Sequence, residues 1–404
     1  MKTVARHVKD CLALVGQLPT LEVNLVEAVG CILAEDVVAP WDLPVTDCGA
    51  CDGYALRTAD VRGASPDEPV TLTVVEQVRA GDINPVSLLP GHAAKIASGA
   101  PLPLGADAVL ALEYTDGGLA RVQIRSAPQV GENIRRQAED VAAGNPIVPA
   151  GTRIGPRQVA LLAGAGRERV LVRPRPRVVV ISIGDELVGP GSSPRPGQVF
   201  DANGHALATA AADLGAHVFR VGPVSDQRGA LRNVIEDQVL RADLIITTGG
   251  LSRSESDTLA EVLEPLGEVN FSPVAMWPGR IQGVGLVGNG VPILCLPGDP
   301  VAAQVSFAVF AYPALRAMAG WSNQFRPTLR AKVDRGWYSP RGRREFVRVR
   351  LEGDPDKGYL ARVQGGPHQL LLSALGTSNA LAVVPEDVTD VQMGDELVCI
   401  LLDD

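Results

Sequence analysis

Short apolar runs alternate with stretches of helical periodicity between residues 177 and 320. Four of these runs predict strands, at residues 178–183, 217–224, 244–246 and 292–296. Those at 178–183 and 244–246 have the apolar character of buried strands, as in parallel sheets. Helical patterns lie among them at about 202–214, 231–239, 259–263 and 301–318. This alternation predicts a doubly wound, mainly parallel α/β sheet.

The run at 244–246 leads into Gly249 and Gly250, which permit a sharp turn or the close approach of a ligand to the backbone. Ser252 and the polar residues after it supply capping chemistry for a following helix. A strand, a glycine turn and a helix N-terminus together present backbone N–H groups and a positive dipole end to an anion. This stretch therefore predicts the rim of a phosphate-type site.

Acidic residues follow the predicted strands, at the sheet edge where ligands bind in this fold. They are Glu186, Asp226, Asp257 and Asp299 in the 297–299 loop. Three of the four have a structural alternative, because Asp257 and Asp299 could cap helices and Asp226 could favour a helix dipole. Both interpretations stay open at this point.

Two other parts of the chain have the pattern of short strands. Residues 49–138 are β-rich, with strands predicted at 70–75 and 109–114 and a turn at 95–103. This pattern predicts an inserted β domain. Residues 325–404 return to short strands such as 346–349 and 396–400, which predict a small C-terminal β domain.

Composition narrows the class of protein. A chain of 404 residues is too long for one ordinary core, so two to four domains are expected. A formal charge of −9 argues against a nucleic-acid surface. Six scattered cysteines indicate reduced thiols, and Cys48 and Cys51 are interpreted as core-filling residues. Neither a signal peptide nor a membrane span is evident, so a cytoplasmic protein is expected.

Four motifs occur in an order and spacing that resemble a known family. They are Asp52-Gly53-Tyr54-Ala55, the GDEL at 184–187, Thr248-Gly249-Gly250 and Leu296-Pro297-Gly298. In this order they resemble the molybdopterin molybdenumtransferases, the MoeA and gephyrin E-domain family, and the resemblance covers nearly the whole chain. Each motif alone is weak, since GDEL recurs at 394–397.

The resemblance implies a multidomain fold and a homodimer. Residues 175–324 would form an α/β molybdopterin-binding domain like that of MoaB and MogA. Residues 1–48 and 139–174 would form an N-terminal linking and dimerisation domain, and 49–138 the inserted β-rich domain. Residues 325–404 would form a small β-barrel-like domain. The active site would lie between the α/β domain of one subunit and other domains of its partner.

The resemblance also implies an activity and the residues that carry it. Members of the family take adenylylated molybdopterin and molybdate as substrates, use a divalent cation such as Mg²⁺, and release AMP. The implied catalytic residues are Asp52, Asp140 and Asp257, and the implied metal ligands are Glu186, Asp226 and Asp257. The implied substrate-binding residues are Ser98, Gly249, Gly250, Ser252, Arg280, Pro297, Gly298 and Asp299.

Several positions depart from the family pattern on the anion-binding side. Trp277 and Arg280 stand where two lysines are usual, and Asp299 stands where asparagine is usual. His368-Gln369-Leu370 replaces a Gly-Ser-His. Because the acids are kept and the anion-binding positions are changed, a second hypothesis stays open. It is a catalytically impaired, gephyrin-like paralogue that acts as a dimeric scaffold with a protein partner.

Overall fold

The computed structural model describes residues 1–83, 85, 87–251 and 258–403. The predicted fold class is confirmed, with a central α/β sheet, an inserted β sheet and a closed C-terminal β barrel. The first elements are α1 (Val4–Leu14), β1 (Leu21–Asn24), β2 (Ile32–Leu33), β3 (Val37–Val38) and β4 (Cys48–Gly49). The Thr3 hydroxyl caps α1 by accepting a hydrogen bond from the Arg6 N–H at 3.2 Å.

The inserted sheet follows β4 and has the order β8-β5-β7-β6-β9. Its strands are β5 (Gly53–Leu56), β6 (Val70–Val78), β7 (His92–Ile96), β8 (Ala108–Ala111) and β9 (Arg121–Ile124). Two short 3₁₀ helices, Thr58–Val61 and Leu112–Tyr114, accompany them. β6 and β9 alternate buried and more exposed residues, as expected where one sheet face covers a core, whereas β5 and Ala108 to Leu110 of β8 are buried throughout.

Two predictions in this sheet were wrong. The strand predicted at 109–114 ends at Ala111, because its partner β5 begins at Gly53, directly opposite Ala111. Leu112 to Tyr114 instead form a 3₁₀ turn in which Leu112 and Tyr114 are exposed. The turn predicted at 95–103 also begins too early, since Lys95 and Ile96 are the last residues of β7.

After the inserted sheet the chain returns to the amino-terminal strands. The returning elements are β10 (Ile134–Arg135), β11 (Pro146–Val148), α2 (Pro156–Gly164) and β12 (Arg169–Arg173). β10 pairs with β4, β11 pairs with β3, and β12 lies between β1 and β2. Side chains from both stretches share one apolar core, in which Leu33 packs with Leu162 and Val172. The segments on either side of the insertion thus fold together.

The central sheet has the strand order β16-β13-β17-β21-β20-β18. The elements of this part, in chain order, are β13 (Arg177–Ile183), β14 (Leu187–Val188), β15 (Val199–Phe200), α3 (Asn203–Asp213), β16 (His217–Val224), α4 (Arg228–Val239), β17 (Leu244–Thr248), α5 (Thr258–Leu263), β18 (Gly267–Pro273), β19 (Met276–Trp277), β20 (Ile281–Val287), β21 (Val291–Leu296), α6 (Pro300–Ser306) and α7 (Tyr312–Met318). The first four strands of the sheet are parallel, and β20 and β18 add an antiparallel edge.

Both faces of the inner parallel strands β13, β17 and β21 are largely buried, which explains their continuous apolar sequence, whereas the edge strand β16 is buried only at Val224. Val178 and Val180 of β13 pack into the core on one face, whereas Val179 and Ile181 pack into the core on the other. Among the described residues, one helical stretch, Pro300–Met318, is long and apolar enough to cross a membrane, and 83% of its most apolar window is buried inside the protein. It consists of α6, a π-helical segment (Phe307–Ala311) and α7.

The last part of the chain forms a five-stranded barrel of order β24-β25-β22-β28-β26, closed by pairing of β26 with β24. Its elements are β22 (Thr328–Val333), β23 (Trp337–Tyr338), β24 (Arg344–Asp354), β25 (Gly358–Val363), α8 (Leu372–Gly376), β26 (Ala380–Val384), β27 (Asp390–Val391) and β28 (Glu396–Leu401). The short strand β19 pairs in parallel with β24, with Trp277 opposite Glu345. This pairing joins the barrel to the central domain at the functional edge of its sheet.

Candidate functional site

A cleft of about 780 Å³ lies beyond the carboxyl ends of β13, β17 and β21. Such an edge is where doubly wound sheets bind their ligands. The cleft brings together eight of the residues that the sequence analysis singled out: Glu186, Asp226, Gly249, Gly250, Arg280, Pro297, Gly298 and Asp299. Two others, Ser252 and Asp257, lie outside the described residues, as does the helix cap predicted there.

Glycines let the loops at this edge lie against each other. Gly249 has a φ of +90°, and a Cβ there would be 2.2 Å from the Ile183 carbonyl oxygen. A Cβ on Gly298 would contact the Gly249 backbone at 3.4 Å. Residue 249 must therefore be glycine for the loop after β17 to pass over the end of β13. The result is a cleft wall made largely of backbone, as a phosphate-type ligand requires.

Glu186 and Asp226 line the cleft, and Asp185 lies beside Asp226. The hydrogen bond between Asp185 and Asp226, together with the nearby charge of Glu186, raises the pKa of Asp226. Hydrogen bonds from Ser225 and Asp226 lower the pKa of Asp185. Within the described residues none of the three forms an ion pair with a basic side chain. Among the described residues the group therefore carries negative charge that a proton or a bound cation would relieve.

The donor chemistry of this group fits a hard divalent cation. Mg²⁺ takes oxygen ligands and is bound through one or two carboxylates while keeping several waters. Glu186 and Asp226 supply such carboxylates at the cleft, and Asp257, the third predicted ligand, lies outside the described residues. In the described parts of the chain, no three His, Cys, Asp or Glu residues are grouped closely enough to hold a metal ion.

Asp201 is a site residue that the sequence analysis missed. It lines the cleft, yet it is only 1% exposed. Its carboxylate accepts hydrogen bonds from the Ser182 hydroxyl at 2.9 Å and from the Gly204 N–H at 2.8 Å, and it pairs with Arg220 at 3.4 Å. An aspartate just before a predicted helix is a capping signal, and that signal would have identified it.

Asn203 was missed as well, and it connects the start of α3 to the ends of two strands, β17 and β21. Its side-chain amide donates hydrogen bonds to the Thr248 hydroxyl at 2.8 Å and to the Gly298 carbonyl at 2.7 Å. The Thr248 hydroxyl in turn donates to the Pro297 carbonyl at 2.8 Å. These bonds position the 297–299 loop at the cleft, and no local sequence signal indicates them.

Asp299 makes the hydrogen bond expected of a helix cap. Its carboxylate accepts a hydrogen bond from the Ala302 N–H at 2.9 Å, and Pro300 occupies the first position of α6. Asp299 therefore caps α6 while it lines the cleft. The described contacts thus make Asp299 a helix cap at the edge of the site.

A buried arginine lies near Asp299. Arg348 of β24 is fully buried, and it donates hydrogen bonds to the carbonyls of Gly366 at 2.8 Å and Gln369 at 2.7 Å. Burial lowers the pKa of its guanidinium, while the charges of Glu345 and Asp299 act in the opposite direction. The positive charge of Arg348, a barrel residue, thus interacts favourably with the negative charge of Asp299. The sequence analysis did not identify Arg348.

The remaining candidates lie away from the cleft. The Ser98 N–H donates a hydrogen bond to the Asp52 carboxylate at 2.7 Å, so these two exposed residues are neighbours in the inserted domain. Asp140 is exposed, and its N–H donates to the Leu43 carbonyl at 2.9 Å. None of the three lines the cleft. Cys48 and Cys51 are unpaired thiols, buried and half-buried respectively.

Three family models match consecutive parts of this chain. The MoeA N-terminal region (domain I and II) matches residues 2–166, a probable molybdopterin binding domain matches residues 179–317, and the MoeA C-terminal region (domain IV) matches residues 330–402. The cleft residues from Ile183 to Ala302 all fall within the second match.

Whole-chain relatives give the same result. Molybdopterin molybdenumtransferase 2 of Mycobacterium tuberculosis is 40% identical over 403 residues, which is 98% of each chain. A molybdopterin molybdenumtransferase of Nostoc is 35% identical over 96% of this chain and 90% of its own. A crystal structure of a molybdopterin biosynthesis MoeA protein from Pyrococcus horikoshii superposes with a TM-score of 0.83 at 32% identity, covering 100% of this chain and 99% of that one.

The fold and the cleft define a multidomain protein with a molybdopterin-binding type of α/β domain. Because three family models span nearly the whole chain, and relatives at 35–40% identity cover it almost completely, the assignment is direct. The chain belongs to the MoeA family of molybdopterin molybdenumtransferases, as the motifs in its sequence predicted. It is thereby a protein of molybdenum cofactor biosynthesis.

Proposed function

We propose that this chain inserts molybdenum from molybdate into adenylylated molybdopterin and releases AMP, with Mg²⁺ as the divalent cation. The observation that carries the proposal is the composition of one cleft. A glycine-rich backbone wall at Gly249 and Gly250 and the carboxylates of Glu186 and Asp226 line the same space. A ligand that carries phosphates and a bound cation would use the backbone N–H groups for its phosphates and the carboxylates for the cation.

Each wall has a separate task in this proposal. Backbone N–H groups near Gly249 and Gly298 would approach phosphate oxygens, and Arg280, which lines the cleft, would supply a cation. Glu186 and Asp226 would hold Mg²⁺ together with Asp257, with Ser252 contributing to substrate binding. A bound Mg²⁺ neutralises phosphate charge and orients the phosphates. Arg348 would offset the charge that Asp299 brings to the cleft.

Asp52, Ser98 and Asp140 require a second subunit in this proposal. They lie outside the cleft of their own chain, so they would act only at a cleft of another copy. A two-fold homodimer would provide that arrangement, with the same surface used by both subunits. The residues 1–48 and 139–174 would form the linking and dimerisation domain, and the protein would act in the cytoplasm.

The proposal is tested by measuring AMP release from adenylylated molybdopterin in the presence of molybdate and Mg²⁺. We expect Glu186→Gln and Asp226→Asn each to lower the rate by at least the roughly 10- to 100-fold that loss of a residue supporting a metal ligand costs. Glu264→Gln, which changes an exposed carboxylate away from the cleft, is the matched control. Unchanged AMP release in both cleft variants would contradict the proposal.

The scaffold hypothesis has no observation of its own to favour it. The relatives that cover almost the whole chain are named as transferases. The Asp299 substitution, one reason for the hypothesis, now has a structural explanation as a helix cap. We therefore propose the enzyme alone.

A further inference from the structure

The cleft has an aromatic wall that charge recognition does not explain. Trp277 of β19 and Phe200 of β15 both line it, and Phe200 is 47% exposed. Aromatic residues are only 4% of the sequence, and only four residues are tryptophans. Two aromatic rings in one cleft are therefore more than the composition would lead one to expect. Neither ring contacts another aromatic ring or a guanidinium within the described residues.

The backbone that carries Trp277 is held from three directions. Trp277 pairs with Glu345 of the barrel, and the Val274 N–H donates a hydrogen bond to the Arg280 carbonyl at 2.7 Å. The Gln282 side chain donates to the Gly279 carbonyl at 2.7 Å. The backbone from 277 to 280 is thus held by both neighbouring elements, so ligand binding at Trp277 needs little ordering of the backbone.

A lysine at this position would select a phosphate by charge, whereas an indole has no charge to offer. It presents a broad apolar face with a negative π cloud and a single N–H donor. The indole Nε1 is shielded from solvent and has no acceptor within the described residues. The face therefore determines which part of a ligand the residue can hold, and a flat ring matches it better than an anion.

We propose that Trp277 determines specificity by stacking on a flat, fused, nitrogen-containing ring of the ligand. This inference takes the cleft of the proposed function as the ligand site and adds which chemistry one wall selects. An adenylylated pterin carries two such rings, the pterin and the adenine. Both share the chemistry that an indole face recognises, and the experiment separates them.

The test uses calorimetry on the full chain with two uncharged probes, 6-hydroxymethylpterin and adenosine. We expect one of them to bind the unchanged protein, and Trp277→Ala to weaken it roughly 5- to 150-fold, which corresponds to a stacking contribution of about 1–3 kcal/mol. Trp277→Phe keeps an aromatic face without the N–H, and it should stay within about threefold of the original affinity. The identity of the binding probe shows which ring the indole holds.

Three controls separate stacking at Trp277 from charge and from the loss of an aromatic side chain elsewhere. Raising NaCl from about 0.05 to about 0.5 M should change the affinity for the uncharged probe less than about twofold, because screening acts on charges. Trp277→Lys should weaken the ring probe as Ala does, while leaving binding of inorganic pyrophosphate unchanged or tighter. Tyr338→Ala removes an aromatic side chain that is 77% exposed and outside the cleft, and it should leave both probes unaffected.

Three outcomes would overturn the inference. They are an unchanged affinity in Trp277→Ala, a Trp277→Phe variant as weak as Ala, and an unchanged protein that binds neither uncharged probe at millimolar concentration. The proposed function fails differently, through absent AMP release. A protein that binds the ring through Trp277 but releases no AMP would keep this inference and reject the function. The opposite combination would keep the function and reject the inference.

Discussion

The side-chain amide of Asn203 donates a hydrogen bond to the carbonyl of Gly298 at 2.7 Å. This bond joins the start of α3 to the loop after β21, across the carboxyl ends of the parallel strands. Because Asn203 also bonds to Thr248, one side chain holds two of the loops that line the cleft. The position of the backbone wall thus depends on a residue that the motif pattern did not single out.

Replacing Asn203 with alanine should therefore damage both stability and the cleft. Thr248, which is buried, and the Gly298 carbonyl would both lose their donor, at a cost of about 1–3 kcal/mol in the free energy of unfolding. Denaturant unfolding measures that cost, and calorimetry with the adenylylated ligand should show weaker binding. Asn289→Ala is the matched control, because Asn289 is exposed in the turn at the opposite end of β21. Equal stabilities of the two variants would contradict the bridging role.

Gly249 and Gly191 allow the cost of a side chain at the cleft to be divided into two parts. Both have a φ of +90°, but a Cβ on Gly191 meets no atom within 4 Å, whereas one on Gly249 meets the Ile183 carbonyl at 2.2 Å. Gly191→Ala should cost about 1–2 kcal/mol from backbone strain alone. Gly249→Ala should cost clearly more and weaken ligand binding. Similar unfolding free energies for both would show that the loop moves aside.

Asp185 should control the pH at which the cleft binds Mg²⁺. The hydrogen bond with Asp185 raises the pKa of Asp226, so Asp226 keeps its proton to a higher pH than an isolated aspartate does, and a proton competes with the cation. Asp185→Asn removes a like charge and leaves a donor, which lowers the pKa of Asp226. Mg²⁺ binding should then begin at lower pH, and Asp237→Asn on the exposed side of α4 should not shift it. An onset that stays in place in Asp185→Asn would refute the coupling.

His7 should make the protein less stable in mild acid. The ring is 1% exposed and packs edge-on against Phe310 at 4.6 Å, and burial lowers its pKa to about 4. A histidine in the unfolded chain binds a proton below about pH 6.5, whereas His7 in the folded protein stays neutral until the pH is near 4. Between these pH values the unfolded state binds more protons, so acid favours unfolding. The stability contributed by neutral His7 is complete above pH 6.5 and is lost as the pH falls towards 4, by up to about 3 kcal/mol. In a folded His7→Gln variant this part of the pH dependence should disappear from the unfolding free energy.

Asp299→Asn should separate the helix cap from the charge at the cleft. Asparagine caps a helix as well as aspartate does, so the free energy of unfolding should change little. The loss of one negative charge should tighten binding of pyrophosphate or AMP, and high salt should reduce the gain. Asp299→Ala, which loses the cap, should cost about 0.5–2 kcal/mol. If Asp299→Asn leaves anion affinity unchanged, the Asp299 charge does not act on the ligand.

Much of the central fold could be predicted from periodicity, because buried parallel strands are apolar at every position. The strand predicted at 217–224 has the predicted bounds, although this edge strand, β16, is buried only at Val224. The end of β8 at Ala111 could not be predicted, since it is set by the length of its partner β5. Pairing of β19 with β24 was missed for the same reason, as it joins residues nearly 70 positions apart.

Some residues of the candidate site could be predicted from the sequence and others could not. Glu186, Asp226 and the glycines were predicted because they follow strand ends, and they line one cleft. Asn203 and Arg348 were missed because their partners are backbone carbonyls distant in sequence, which leave no local pattern. The roles proposed for Asp52, Ser98 and Asp140 stay predictions that depend on a second subunit.

The central claim is the insertion of molybdenum into adenylylated molybdopterin, and stoichiometry tests it most directly. The purified chain would be mixed with this substrate, molybdate and Mg²⁺, and the AMP released and the molybdenum retained on the pterin would be measured in the same sample. We predict equal amounts of the two, both abolished by omitting Mg²⁺. Release of AMP without retained molybdenum, or neither product while the substrate is bound, would contradict the account.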